Sequence, residues 1–153
     1  MRRIPVLLIA ALAISSCATL AARDPGPLPV AASSHAGISE LDGTEWRFVQ
    51  VDGTAVPATV TATLRLRGGR ASGKAGCNAY GARYHVAGDG AASFVRSFST
   101  KMACLRPPGV MWVEQGVFDA LQKTARVQIE DGRLVLLDAA GKSLAKLVPM
   151  TTP

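Results

Sequence analysis

The sequence predicts a mostly β (α+β) domain: a small antiparallel β-barrel-like sheet with one packed α-helix. Three observations lead there. Between Leu41 and Val148, apolar and polar residues alternate over short stretches separated by Gly- and Asp-containing turns, the period-2 pattern of half-buried strands. One stretch alone, Gly109 to Lys123, repeats apolar residues at helical spacing. The strands follow one another at hairpin distance, which favours an antiparallel sheet curled toward closure.

Glu45-Trp46-Arg47-Phe48-Val49-Gln50-Val51 reads as the first strand, with Trp46, Phe48 and Gln50 on one face. Asp52-Gly53 ends it with turn chemistry. Ala55 to Val60 contains Pro57 and reads as a loop. Thr61 to Leu66 alternates again, Leu64 and Leu66 pointing one way and Arg65 and Arg67 the other. Gly68-Gly69 is a two-residue hairpin signal, from which Arg70 to Lys74 returns. The small residues Ala71, Gly73, Ala75 and Gly76 let another backbone pass close. The chain then reaches Gly76-Cys77-Asn78, where Asn78 is expected to bond nearby main-chain groups in a sharp turn.

Arg83 to Val86 is a further strand, and Gly88-Asp89-Gly90 a turn. Ala92 to Phe98 follows, with Phe94, Arg96 and Phe98 in one row; an arginine in that row suggests a partly exposed face or a barrel mouth. Pro107-Pro108 breaks the chain before the helix. Val113, Val117, Ala120, Leu121 and Thr124 form its apolar stripe, and Glu114, Gln115, Asp119, Gln122 and Lys123 its polar face. Arg126 to Ile129, Arg133 to Leu137 and Ser143 to Val148 are the closing strands, divided by turns at Asp131-Gly132 and Ala140-Gly141. Residues 149–153 read as a frayed tail.

Ahead of this domain lies an address. Arg2 and Arg3 precede an apolar run, Val6 to Ile14, too short for a permanent transmembrane helix. Ile14-Ser15-Ser16-Cys17 then resembles a bacterial lipobox. The expectation is a signal peptide over 1–16 and a lipidated Cys17, with an ordinary secretory leader as the alternative. Ala18, rather than Asp, after the cysteine resembles the pattern sorted to the outer membrane, facing the periplasm. Residues 17–40 are rich in Ala, Pro, Ser and Gly and read as a flexible tether to the domain at 41–148.

Composition narrows the function classes. The 153 residues carry a formal charge of +6 but only 5 % aromatics, with no long basic run and no aromatic-basic interleaving. Nucleic-acid binding is therefore not expected, whereas contact with anionic envelope surfaces is. No phosphate loop, Gly-x-Ser-x-Gly elbow, paired-carboxylate motif or metal-ligand spacing is present in the sequence, so no metal or cofactor is expected.

The runs Leu41-Asp42-Gly43-Thr44-Glu45-Trp46, Gly73-Lys74-Ala75-Gly76-Cys77-Asn78-Ala79-Tyr80 and Ser99-Thr100-Lys101-Met102-Ala103-Cys104 resemble, in order, the META domain, also called HslJ-like. Glu114, Phe118 and Leu121 of the helix and the Leu134 to Asp138 hairpin match as well. The resemblance implies a mostly β fold with a helix, frequent lipid anchoring, and a link to heat-shock response, drug tolerance or virulence, without an established enzymatic activity.

Two site hypotheses follow from the residues. Cys77 and Cys104 are the two cysteines left once Cys17 takes lipid, and the oxidising compartment favours a disulfide between them over free buried thiols. Arg65, Arg67, Arg70 and Lys74 fall on one face of a hairpin and are a candidate patch for anionic lipid, lipopolysaccharide or an acidic envelope protein; a solvated outer face is the alternative. Arg83, Arg96, Lys101 and Arg106 extend this basic set. The leading expectation is a non-catalytic envelope lipoprotein that binds or stabilises envelope components. A hydrolytic or thiol-dependent enzyme, using Cys77 with His85, is the second class, and an inhibitor or chaperone-like partner protein the third.

Overall fold

The computed structural model describes residues 41–150. The leader at 1–16, Cys17, the tether at 17–40 and the last three residues lie outside the described residues.

Among the described residues there are nine strands and one helix: β1 (Glu45–Val51), β2 (Thr54–Ala55), β3 (Thr63–Arg67), β4 (Arg70–Lys74), β5 (Ala79–Val86), β6 (Ala92–Ser99), α1 (Val110–Lys123), β7 (Arg126–Glu130), β8 (Arg133–Leu137) and β9 (Ser143–Pro149). The strand order is β6-β5-β4-β3-β1-β9-β8-β7, antiparallel at every pairing, with β2 added to β1. The two ends of this order meet: Ala91 bridges Arg126, the Ala92 N–H donates to Ala125 O at 2.9 Å, and the Val127 N–H donates to Gly90 O at 2.8 Å. The sheet is thus a nearly closed barrel, which leaves little edge to pair with other chains. Its lining is the alternating apolar set, led by Phe48, Leu64, Leu66, Tyr80, Leu134, Leu136 and Leu147. At ~25 cal/mol per Å² of buried apolar area, this lining is the main favourable term of folding.

Gly68 and Gly69 make the β3–β4 turn with φ of 55° and 71°, a conformation that glycine adopts without penalty. The helix packs on β1, β6, β8 and β9, strands from both halves of the order, so it caps the barrel instead of extending the sheet. It buries Val113, Val117, Ala120 and Leu121, and Gly116 permits the close approach of Val51. Thr124 ends it by donating its hydroxyl to Ala120 O at 2.7 Å.

Three details differ from the sequence reading because of bulges and partners that alternation does not encode. In β1 the register shifts between Phe48 and Gln50, so Val51 instead of Gln50 completes the inward row. In β6 the extra residue falls at Ser97: Arg96 stands opposite Ala82 on the inner face, and Phe98 opposite Gly81 on the outer. Pro149 is also not frayed. It pairs with Trp46, and the Met150 N–H donates to Glu45 O at 2.8 Å.

Candidate functional site: a locked loop and a basic sheet face

The turn from β4 to β5 and the loop from β6 to α1 are locked together. Cys77 and Cys104 form a disulfide with Cα atoms 5.8 Å apart, closing a sequence separation of 27. Beside it, Asn78 is buried and fully satisfied. Its Nδ2 donates to Met102 O and to Glu114 Oε1, both at 2.9 Å. Its Oδ1 accepts the Thr100 hydroxyl at 2.6 Å and the Met102 N–H at 2.8 Å. The Asn78 N–H donates to Glu114 Oε2 at 2.7 Å. Gly76, at φ 101°, makes the approach possible, since a Cβ there would lie 2.7 Å from Val110 O. Asn78 therefore acts across the fold, reaching residues 22 to 36 positions away, where the sequence suggested local turn bonding. Glu114, assigned to the polar helix face, is buried at 8 % exposure as the acceptor of this lock. A carboxylate one position past Val113 in the stripe, together with the asparagine that directly follows Gly76-Cys77, was the available signal.

The disulfide and the Asn78 hydrogen bonds tie the β4–β5 turn to the β6–α1 loop and to the helix. The Cys77 sulfur is bonded to Cys104 and is not a thiol, while His85 lies exposed on β5 opposite Ser93. Every polar group of Asn78 is engaged within the protein.

The outer face of β3, β4 and β5 is different. Arg67 lies directly opposite Arg70, and Arg70 directly opposite Arg83. All three are exposed, and none forms an ion pair with a described residue. The row continues to Val95 on β6, which is 66 % exposed. In the neighbouring row, Arg65 is neutralised by Glu45 at 2.7 Å, then come Ser72, Gly81 and Phe98. Phe98 lies across Gly81, where a Cβ would meet its ring at 2.2 Å, and remains 61 % exposed. Lys74 stands one row further, opposite Ala79. Of the four patch residues read from the sequence, Arg67, Arg70 and Lys74 stand unpaired on this face, Arg65 is charge-balanced, and Arg83 joins them. At the margin, Asp42 Oδ1 accepts the Gly68 N–H at 2.6 Å and the Tyr84 hydroxyl at 2.7 Å. Burial first, and then this hydrogen bond to Asp42 and its charge, push Tyr84 up to about 12.

Fold and site together define a small closed β domain with a disulfide-braced, asparagine-locked loop beneath a helix cap. The chain belongs to the META domain family, whose family model matches residues 39–150. A solution structure of a protein from Burkholderia xenovorans is 29 % identical, with a TM-score of 0.63, over 86 % of this chain and 99 % of that one. A second solution structure, 18 % identical, has a TM-score of 0.54 over 71 % of this chain and 91 % of the other, a likeness of fold. No curated protein matches the chain.

Proposed function

We propose that the chain is a non-catalytic, lipid-anchored envelope protein of the META family, whose basic sheet face binds anionic lipid surface. The supporting observation is the Arg67–Arg70–Arg83 ladder. Like charges directly opposite one another in a sheet are destabilising, and no described carboxylate pairs with them. An anionic surface would supply the missing charge. Val95 and Phe98 flank the ladder on the same face, and exposed apolar side chains beside basic ones suit the headgroup boundary of a bilayer. Lipidation at Cys17 would hold this face near the membrane, so a weak intrinsic affinity suffices. A link to heat-shock response or drug tolerance, which the family resemblance implies, fits a protein that occupies and stabilises that surface.

The test is cosedimentation of the Cys17→Ser chain with vesicles of phosphatidylglycerol and phosphatidylcholine at low salt. Each basic residue near an anionic surface contributes ~1 kcal/mol, so the variant with Arg67, Arg70 and Arg83 changed to Glu should bind at least ~100-fold more weakly. Added salt should mimic that loss. Equal binding by the reversed chain would leave the face as solvated surface only.

A further inference from the structure

A groove of about 310 Å³ runs between β6 and α1, at the low end of the size range of small-molecule sites. Ala82, Phe94, Phe118 and Leu121 supply apolar walls, and Arg96 and Gln122 are the polar residues on its lining. The walls are buttressed from behind. Tyr80 packs edge-on against Phe118 with ring centroids 6.0 Å apart, and Tyr84 stacks on Phe94 at 6.1 Å. Arg96 follows Phe94 on the inner row by simple alternation, and the bulge at Ser97 turns Phe98 away to the outer face. Its guanidinium carbon lies 4.6 Å from the centre of the Phe118 ring. No described carboxylate pairs with Arg96, and a guanidinium that meets a ring with its face keeps its N–H edge available to an anion.

We propose that this groove binds a small amphipathic organic anion, an aliphatic or aromatic carboxylate of modest length. The carboxylate would lie in the plane of the Arg96 fork, where two parallel N–H donors match its two oxygens. The apolar portion would lie between Phe94 and Leu121, out of water. Gln122 offers an amide at the rim for a second polar contact. An inward charge next to a sheet opening also serves to discourage strand addition. That role asks only for charge on β6. It does not ask for stacking on a ring that is itself held by Tyr80, nor for an apolar groove beneath the charge. The groove shares Val95 with the end of the arginine row but none of the ladder's arginines.

The experiment is a titration of the ¹⁵N-labelled full-length chain carrying Cys17→Ser, followed by amide correlation spectra. Octanoate and octylammonium are the probes, sharing one tail and differing in head charge. Saturable shifts from octanoate should centre on Phe94 to Arg96 and Phe118 to Gln122, with octylammonium at least about tenfold weaker. Arg96→Gln should weaken octanoate about tenfold while the rest of the spectrum stays that of the folded chain. Arg96→Lys should recover part of the affinity, because it restores the charge without the fork. Equal response to both probes would overturn the proposal. So would octanoate affinity unchanged by Arg96→Gln, shifts centred on Arg67, Arg70 and Arg83, or no saturable shift at all.

Discussion

Changing Glu114 to Gln removes one oxygen atom's acceptor capacity and should still cost a large share of the fold's stability. The two carboxylate oxygens each accept one hydrogen bond from Asn78, at 2.7 Å from its main chain and 2.9 Å from its side chain. A glutamine amide keeps one acceptor and turns the other into a donor, so in either orientation a donor faces a donor. The site is buried, so the displaced N–H has no water to turn to. A hydrogen bond to a charged group contributes ~1.5–3 kcal/mol, and an orphaned buried donor loses ~1–3 kcal/mol of solvation. These are two views of one loss, so the expected net cost is ~1.5–3 kcal/mol, out of ~5–15 kcal/mol for a whole domain. In a domain of this size that lowers the melting temperature by ~8–15 °C. Urea unfolding followed by far-ultraviolet circular dichroism gives the free energy, and the urea dependence should be unchanged if only the native contact is lost. A cycle with Asn78→Ala should return a coupling of ~1–3 kcal/mol. If Glu114→Gln unfolds within ~0.5 kcal/mol of the wild type, a typical effect of surface substitutions, the lock does not hold the helix cap and the reasoning fails.

Cys77→Ser with Cys104→Ser opens a loop of 27 residues and should cost about 3.5 kcal/mol, read from the same unfolding curves; a vesicle-binding defect in the folded double variant would show that the bridge does more than brace. The chain's two tyrosines, Tyr80 and Tyr84, are both shifted upward, Tyr80 through burial beyond the usual range and Tyr84 up to about 12. The unfolded chain releases those protons near pH 10, so their contribution is fully present below that pH and is lost as pH rises from ~10 through ~12. Absorbance at 295 nm should therefore stay flat to pH 11 and then rise together with unfolding; an independent rise near pH 10 would contradict the burial of Tyr80. Asp52 lies lower than an ordinary aspartate because Lys142 bonds to it at 2.9 Å and adds its charge. Its carboxyl titration, followed by NMR, should return to the ordinary value in Lys142→Met, and no displacement would show that the pair does not form in solution. Cys17→Ser should leave an unlipidated species in the soluble fraction of cells, and a membrane-bound variant of wild-type mass would exclude Cys17 as the lipid site.

Much of this fold was legible in the chain because its strands alternate over short lengths between strong turns. Leu64 and Leu66 against Arg65 and Arg67, closed by Gly68-Gly69, needed no tertiary information. What was not legible follows from interactions without a period. The bulges near Val49 and Ser97 each add one residue on one strand, which reverses every later side chain, and nothing in the local sequence marks where the partner strand omits its counterpart. Glu114 looked like solvent-facing helix surface because its partner, Asn78, lies 36 residues upstream. The basic face was half legible. Arg65, Arg67, Arg70 and Lys74 could be placed on one hairpin face from alternation. That Arg65 is paired with Glu45, and that Arg83 extends the row through Arg70, depends on strand register.

Substituting Arg70, the centre of the ladder, with Thr tests most directly whether the basic face exists for binding or for folding. Threonine suits a strand and removes two like-charge contacts of ~0.2–1 kcal/mol each. Urea unfolding and cosedimentation with phosphatidylglycerol vesicles are measured on the same preparation of the Cys17→Ser chain. The expected result is a chain more stable by ~0.5–1 kcal/mol that binds anionic vesicles several-fold more weakly. A chain that is less stable, or that binds unchanged, would contradict the claim that this face is held in a strained, unpaired state for an anionic surface.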